Sequence, residues 1–285
     1  MQRRLSMQYL LPHFLHPPIP QYTTMYLRAI HAEESIPLLR DFIVKNPLGI
    51  LTTAIASRGE NQERSFIQSS HIPWVLDVKD PSDQNALPTL RGHIARQNPQ
   101  AKSIIDEARA TGSPKQVAEG YTLKDEVLIL FNGLAHHYVT PKFYGKTKPE
   151  TGKVVPTWNY SAVEAYGRAT VWVDHAAKET TSFLQRQIRD LTDRAEHDIM
   201  GYEKTWKVDD APEKYIEIMS KNIIGIEVEV TRLGGKSKMS QEMSEGDIRH
   251  VVDGFRGLET DVGDEMAATI DGKLTQPLSK QKGTT

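Results

Sequence analysis

Arg91-Gly92-His93-Ile94-Ala95-Arg96-Gln97-Asn98-Pro99 is the point where a short strand hands over to a helix. Leu90 to Ala95 carries the strand. Pro99 opens a helix reaching about Ala110, since proline is accepted in a helix's first turn. By the period of two, Arg91 and His93 share one strand face. The histidine has two readings. Following glycine and flanked by two arginines, it suits a negatively charged cofactor, with Gly92 letting a ligand approach the backbone. The plainer reading is a histidine satisfied in the core beside two solvated arginines.

Upstream, Ile36, Leu39, Phe42 and Ile43 line one face of a helix that Ser35 can cap and Asn46-Pro47 stops. Leu48 to Ser57 and Ser65 to Leu76 read as strands around the turn Arg58-Gly59-Glu60-Asn61, with a loop from Asp80 to Pro88. Downstream, the polar connection Thr111 to Lys124 leads to strands over 126–131, 135–140 and 163–173, with a charged loop at 146–153. Phe183, Leu184, Ile188 and Leu191 mark a helix over 178–195. Asp210 can start another, with Pro212 in its first turn. A strand with one wet face spans 223–231, and a last helix covers 246–258. Strands and helices do not alternate regularly, so the pattern predicts an α+β fold around an antiparallel barrel with peripheral helices. Three segments are expected: an N-terminal extension at 1–24, one domain at 25–260, and a disordered tail at 261–285.

Composition narrows the chemistry. The chain has 285 residues, 38% hydrophobic and 25% charged, which is ordinary for a globular protein. It has no cysteine, which excludes thiolate nucleophiles, disulfides, Cys-ligated zinc and iron–sulfur clusters, and fits a cytoplasmic home. No run reads as a membrane span; Ser6 to Leu27 is uncharged but broken by Pro12, Pro17, Pro18 and Pro20. Arg3 and Arg4, with no acidic residue before Glu33, fit a disordered extension or an upstream start before Met25, with an organelle transit peptide as the alternative. The net charge of −2 gives no support for a nucleic-acid face. The one stretch resembling a helix–turn–helix, Pro99 to Gly120, carries Asp106, Glu107 and Glu119, so tight direct DNA binding is not expected.

Two more clusters carry candidate chemistry. In Val154-Val155-Pro156-Thr157-Trp158-Asn159-Tyr160, Trp158 and Tyr160 can pack a flat ring and Asn159 can hydrogen-bond it; a strand entry with core aromatics is the plainer reading. In Gly234-Gly235-Lys236-Ser237-Lys238-Met239-Ser240-Gln241, a Gly-Gly loop with two lysines suits phosphate or carboxylate, or is an exposed turn; it lacks Walker spacing. Other enzyme signatures, G-x-S-x-G, H-E-x-x-H and G-x-G-x-x-G, are missing. The tandem His136-His137 would point to opposite strand faces, which disfavours one shared ion.

Taken together, the clusters resemble the PaiB-like family, the negative transcriptional regulator branch of the FMN-binding split barrels. The marks are Ser70-His71-Ile72-Pro73, Gly92-His93 to Pro99, Phe131 with Gly133 and His136, and Thr140-Pro141 to Tyr144. They continue through Val155 to Tyr160, Tyr166-Gly167, Trp206, Asp210-Ala211-Pro212, Ile224-Gly225 and Gly235-Lys236 to Gln241. The chain departs from the family at Gln241-Glu242, where Gln-Asn is usual, and at 111–124, which looks inserted. The resemblance implies an antiparallel split β-barrel, a homodimer with the cofactor near its interface, and either haem b or FMN. It implies a regulator, or alternatively a haem-dependent enzyme similar to piperazate synthases, which close an N–N bond in an N-hydroxylated diamino acid. In that setting His93 is the implied axial haem ligand, with His71 and His136 as rivals. Lys238 is the implied catalytic group, and Arg91, Arg96, Trp158, Asn159, Tyr160 and Lys236 are candidate cofactor contacts.

Overall fold

The computed structural model describes residues 27–57, 64–112 and 120–275. The turn expected at 58–61, part of the 111–124 connection and the extension at 1–24 lie outside them. Ten strands form one curled antiparallel sheet: β1 (Ala32–Glu33), β2 (Leu48–Ala54), β3 (Ile67–Pro73), β4 (Val75–Asp77), β5 (Thr89–Ala95), β6 (Tyr121–Thr122), β7 (Val127–Asn132), β8 (His137–Val139), β9 (Thr157–Trp172) and β10 (Ile223–Lys238). Its main path runs β3-β2-β7-β9-β10-β5-β4. The helices are α1 (Ile36–Lys45), α2 (Pro99–Thr111), α3 (Thr147–Thr151), α4 (Lys178–Arg194), α5 (Glu213–Ser220), α6 (Glu245–Arg256) and α7 (Asp261–Thr275). The fold is the expected α+β split β-barrel with peripheral helices.

The barrel closes where β3 meets β5. Pro73 lacks an N–H and breaks the single strand expected over 65–76 into β3 and β4. Gly92 lies at the closure: a Cβ there would stand 2.8 Å from Ile72 and 3.0 Å from Trp74. Gly92 therefore faces the core, and its missing side chain admits the barrel wall; it is not an opening for a ligand, as the sequence had led us to expect. Leu51, Ile72, Leu90, Ile129, Phe131, Ile224 and Ile226 fill the interior. Helix α2 adds Ala101, Ile104, Ile105 and Ala108 to this core, so it is a buried structural helix. Gln100 secures it, its amide nitrogen 3.1 Å from the Leu51 carbonyl and 3.0 Å from that of Gln68.

β9 and β10 form a long ribbon, paired from Gly225↔Trp172 to Lys238↔Tyr160 with a bulge between Val230 and Arg232. Both strands outrun their expected limits. Gly234-Gly235-Lys236-Ser237-Lys238 reads as a loop from composition, yet it continues β10. Gly235 is required there because α1 crosses the ribbon: a Cβ would come within 2.3 Å of Leu39.

A second, smaller core joins Val139, Met239, Val251, Phe255, Met266 and Ile270. It corrects the disordered tail expected at 261–285: residues 261–275 are helix α7, with Met266, Ala267 and Ile270 buried. Asp247 pins this core to the preceding loop. Its carboxylate accepts from Lys146 N at 3.0 Å, Thr147 N at 3.1 Å and the Ser244 hydroxyl at 2.9 Å. Burial works against its charge, but these bonds outweigh that and hold its pKa down to about 2. Asp247→Ala leaves those donors unsatisfied and should cost ~3 kcal/mol in urea unfolding. Because the folded pKa is depressed, the stabilisation is present above the ordinary carboxylate range and is lost as pH falls toward 2. An Asp247→Asn variant whose stability follows the same acid profile as the parent would contradict this. Among the described residues, no helix is long and apolar enough to cross a membrane.

Candidate functional site

The free end of the β9–β10 ribbon, the end of β7 and the turn after α1 enclose a cavity of about 610 Å³. Trp158 and Tyr160, two residues apart on β9, line it together with His71, His136, Leu134 and Ile199. Ile199 arrives on a π-helical turn, Ala195–Ile199, that extends α4. Trp158 is 48% exposed, with the His136 ring 6.1 Å and the Tyr138 ring 6.3 Å from its own. Lys236 places its ammonium 5.3 Å from the centre of the Tyr160 ring. A second cavity of about 450 Å³ adjoins the first and shares Lys45, Asn46, Gly133, Leu134 and Ser161 with it.

Lys238, directly opposite Tyr160, donates to the Thr157 hydroxyl and lies 3.8 Å from Glu242. Glu242 also meets the buried His31 at 3.1 Å. Burial opposes its ionisation, but its own backbone amide, His31 and Lys238 prevail and hold it below the usual carboxylate range. The Gln241-Glu242 departure thus supplies Lys238 with an internal counter-ion. Gln241 braces the same turn, accepting from Met239 N at 2.5 Å and donating to the Ser237 carbonyl at 2.5 Å.

Asn159 is a correction. Between Trp158 and Tyr160 it alternates to the opposite side, is fully buried, and donates to the Ser240 hydroxyl at 2.9 Å. Ser240 has φ +62°, and the bond holds this left-handed turn after β10. Its amide serves the turn and leaves no group for the cavity.

His93, Arg91 and Arg96 lie elsewhere. His93 pairs with Gly225 at the other end of β10. Lys238 is thirteen residues along the strand from Gly225, roughly 40 Å of contour. The single site expected from all these residues is therefore two separate places. Arg91 is 3% exposed and spent on structure: it pairs with Asp77, reaches Asp190 at 2.6 Å, and exchanges bonds with Gln187 at 3.4 and 3.2 Å. Burial lowers its pKa, but the two carboxylates more than restore it. Arg96 donates to the Val173 carbonyl at 2.6 Å. Burial pushes His93 below its ordinary value, and its Nδ1 is buried without a hydrogen-bond partner.

Sequence reasoning missed Lys45, Asn46, Leu48, Leu134 and Ser161 as cavity walls. The pairing of β2 with β7 and of β7 with β9 brings them together, Ile50 opposite Leu130 and Asn132 opposite Ala162. Gly133, already marked by resemblance, was the available signal: a Cβ there would lie 2.3 Å from the Ser161 hydroxyl.

Residues 25–232 match the family described as "Putative FMN-binding domain". An uncharacterized protein of Aspergillus fumigatus is 57% identical over 256 residues, covering 86% of this chain and 96% of that protein. The protease synthase and sporulation protein PAI 2 of Bacillus subtilis is 25% identical over 264 residues, covering 90% of this chain and all of that protein. Among solved structures, the flavocytochrome Anf3 of Azotobacter vinelandii aligns with a TM-score of 0.39 at 10% identity, over 77% of this chain and 75% of its own. The chain belongs to the PaiB-like family of FMN-binding split barrels.

Proposed function

We propose that this chain is a flavin-binding protein holding FMN in the aromatic cavity at the free end of the β9–β10 ribbon. The observation that carries the reading is the half-exposed face of Trp158 beside Tyr160 in a cavity of about 610 Å³, with the Lys236 ammonium against the Tyr160 ring, a size that suits a cofactor. The donor set fits the group. Trp158 and Tyr160 offer flat surface, and the Lys236 ammonium, turned toward the Tyr160 ring, offers a cation at the cavity's edge. Bound FMN would supply hydride or electron transfer. The chain's own residues would hold its ring, exclude water from one face and balance its charge. The test is titration of the purified chain with FMN, followed by quenching of flavin fluorescence. Saturable binding is expected near micromolar concentration; a chain that leaves FMN fully fluorescent overturns the reading.

A second reading, haem, is favoured by one observation: the half-buried imidazole of His93, whose pKa burial lowers and whose buried Nδ1 has no hydrogen-bond partner. It would carry the N–N bond-forming alternative. His71 and His136, which line the aromatic cavity, are the competing ligands. Absorption spectra after haem reconstitution separate these. Loss of the Soret band in His93→Ala but not His71→Ala supports His93; the reverse assigns the iron to the aromatic cavity, and uptake of flavin alone removes haem.

The buried core face of α2 argues against direct DNA reading, so regulation would run through the bound cofactor or a protein partner. Exposed Leu48 and Leu134 on the cavity wall support pairing with a second copy near the cavity mouth. Sedimentation of the FMN-loaded chain is expected to give a homodimer, and a clean monomer would refute it.

A further inference from the structure

The second cavity, of about 450 Å³, has walls of different origin. Its floor is the ribbon, at Ala162 and Val163, and one side is α1, through Leu38, Leu39 and Phe42. The remaining side is α7, through Glu265, Thr269 and Lys273. These three are four residues apart and so share one helix face. They lie beyond the 25–232 stretch that matches the family.

The charges around this cavity largely satisfy one another. Asp41 pairs with Lys45 at 2.8 Å, and Glu33 with Lys273 at 3.6 Å. Lys236 lies against the Tyr160 ring, and Glu265 is exposed at the solvent edge. An ionic ligand would lose its hydration and find its partners already engaged. The apolar walls have no such competition. Leu39 and Val163 are buried, while Leu134, 78% exposed, stands at the boundary between the two cavities. Gly133 keeps that boundary thin, since a Cβ there would collide with Ser161.

We propose that this compartment, between α1, α7 and the ribbon, binds the molecule that meets the cofactor: a neutral, largely apolar compound about the size of two linked aromatic rings. The proposal rests on the flavin reading for the neighbouring cavity. Thr269 on α7 and Leu38 on α1 set the width of the compartment and its preference for uncharged ligands.

The experiment uses the full chain and the neutral fluorescent probe 1-N-phenylnaphthylamine, titrated with and without FMN. Saturable fluorescence enhancement is expected near micromolar probe. Thr269→Trp, which fills the space from the α7 side, should weaken probe binding by about tenfold and leave FMN affinity within about twofold. Leu38→Asp, at a half-exposed position that accommodates charge, should give the same loss and serves if the tryptophan variant fails to fold. No saturable enhancement, enhancement unchanged in both variants, or tighter binding of the anion 1-naphthoate than of the neutral probe overturns the proposal. Probe binding that responds to both variants in a chain that takes up no FMN would overturn the flavin reading and leave the compartment standing.

Discussion

Trp158→Ala is expected to weaken FMN binding by about thirtyfold while leaving the fold intact. The indole is 48% exposed, so its removal opens no cavity in the core. What is lost is the surface on which a flat ring would rest. Aromatic stacking and apolar burial together are worth ~2 kcal/mol here, which converts to about thirtyfold in Kd. Lys236→Glu should add a loss of about tenfold that shrinks with added salt, since it reverses a charge beside Tyr160. The measurement is FMN fluorescence titration at two salt concentrations, with circular dichroism as the check on folding. Unchanged affinity in both variants would move the flavin away from the ribbon end.

Arg91→Ala is expected to do the reverse: unfold the protein readily and spare the site. The guanidinium is 3% exposed and joins Asp77 on β4, Asp190 and Gln187 on α4, and its own strand β5. Removing it leaves Asp77 and Asp190 without the guanidinium that joins them, and the buried Gln187 carbonyl without its donor. The cost should be ~3 kcal/mol, seen as a melting point lower by roughly 10 °C. Arg91→Lys should recover little, because one ammonium cannot replace the forked geometry that spans Asp77 and Asp190. FMN affinity of the folded fraction should match the parent. A stable Arg91→Ala protein with selective loss of cofactor would restore the cofactor role implied by sequence.

These two variants mark what could be read from sequence and what could not. Local pattern placed α1, α2, α4 and β5 within a residue or two, because apolar spacing, Asn-Pro stops and proline starts are local signals. It also gave the α+β class, since strand order alone excludes regular alternation. It failed where structure depends on distant packing. Gly235 looks like part of a loop until α1 is laid across it. Gly92 looks like an opening until Ile72 and Trp74 are seen behind it. Met266, Ala267 and Ile270 look like part of a tail until α6 is there to bury them. The candidate site was half legible: Trp158, Tyr160 and Lys236 lie together, whereas His93 and Arg91, from a third motif expected to join them, lie elsewhere.

Helix α7 lies outside the matched residues, yet it walls one compartment of a site whose other walls belong to the shared barrel. The same helix has two duties: Met266, Ala267 and Ile270 anchor it in the second core, and Glu265, Thr269 and Lys273 face the compartment. Substitutions along Glu265, Thr269 and Lys273 can change what is admitted without disturbing sheet register or barrel closure. One helix thus carries a fixed face and an adjustable one, a hinge between what must stay and what can be retuned.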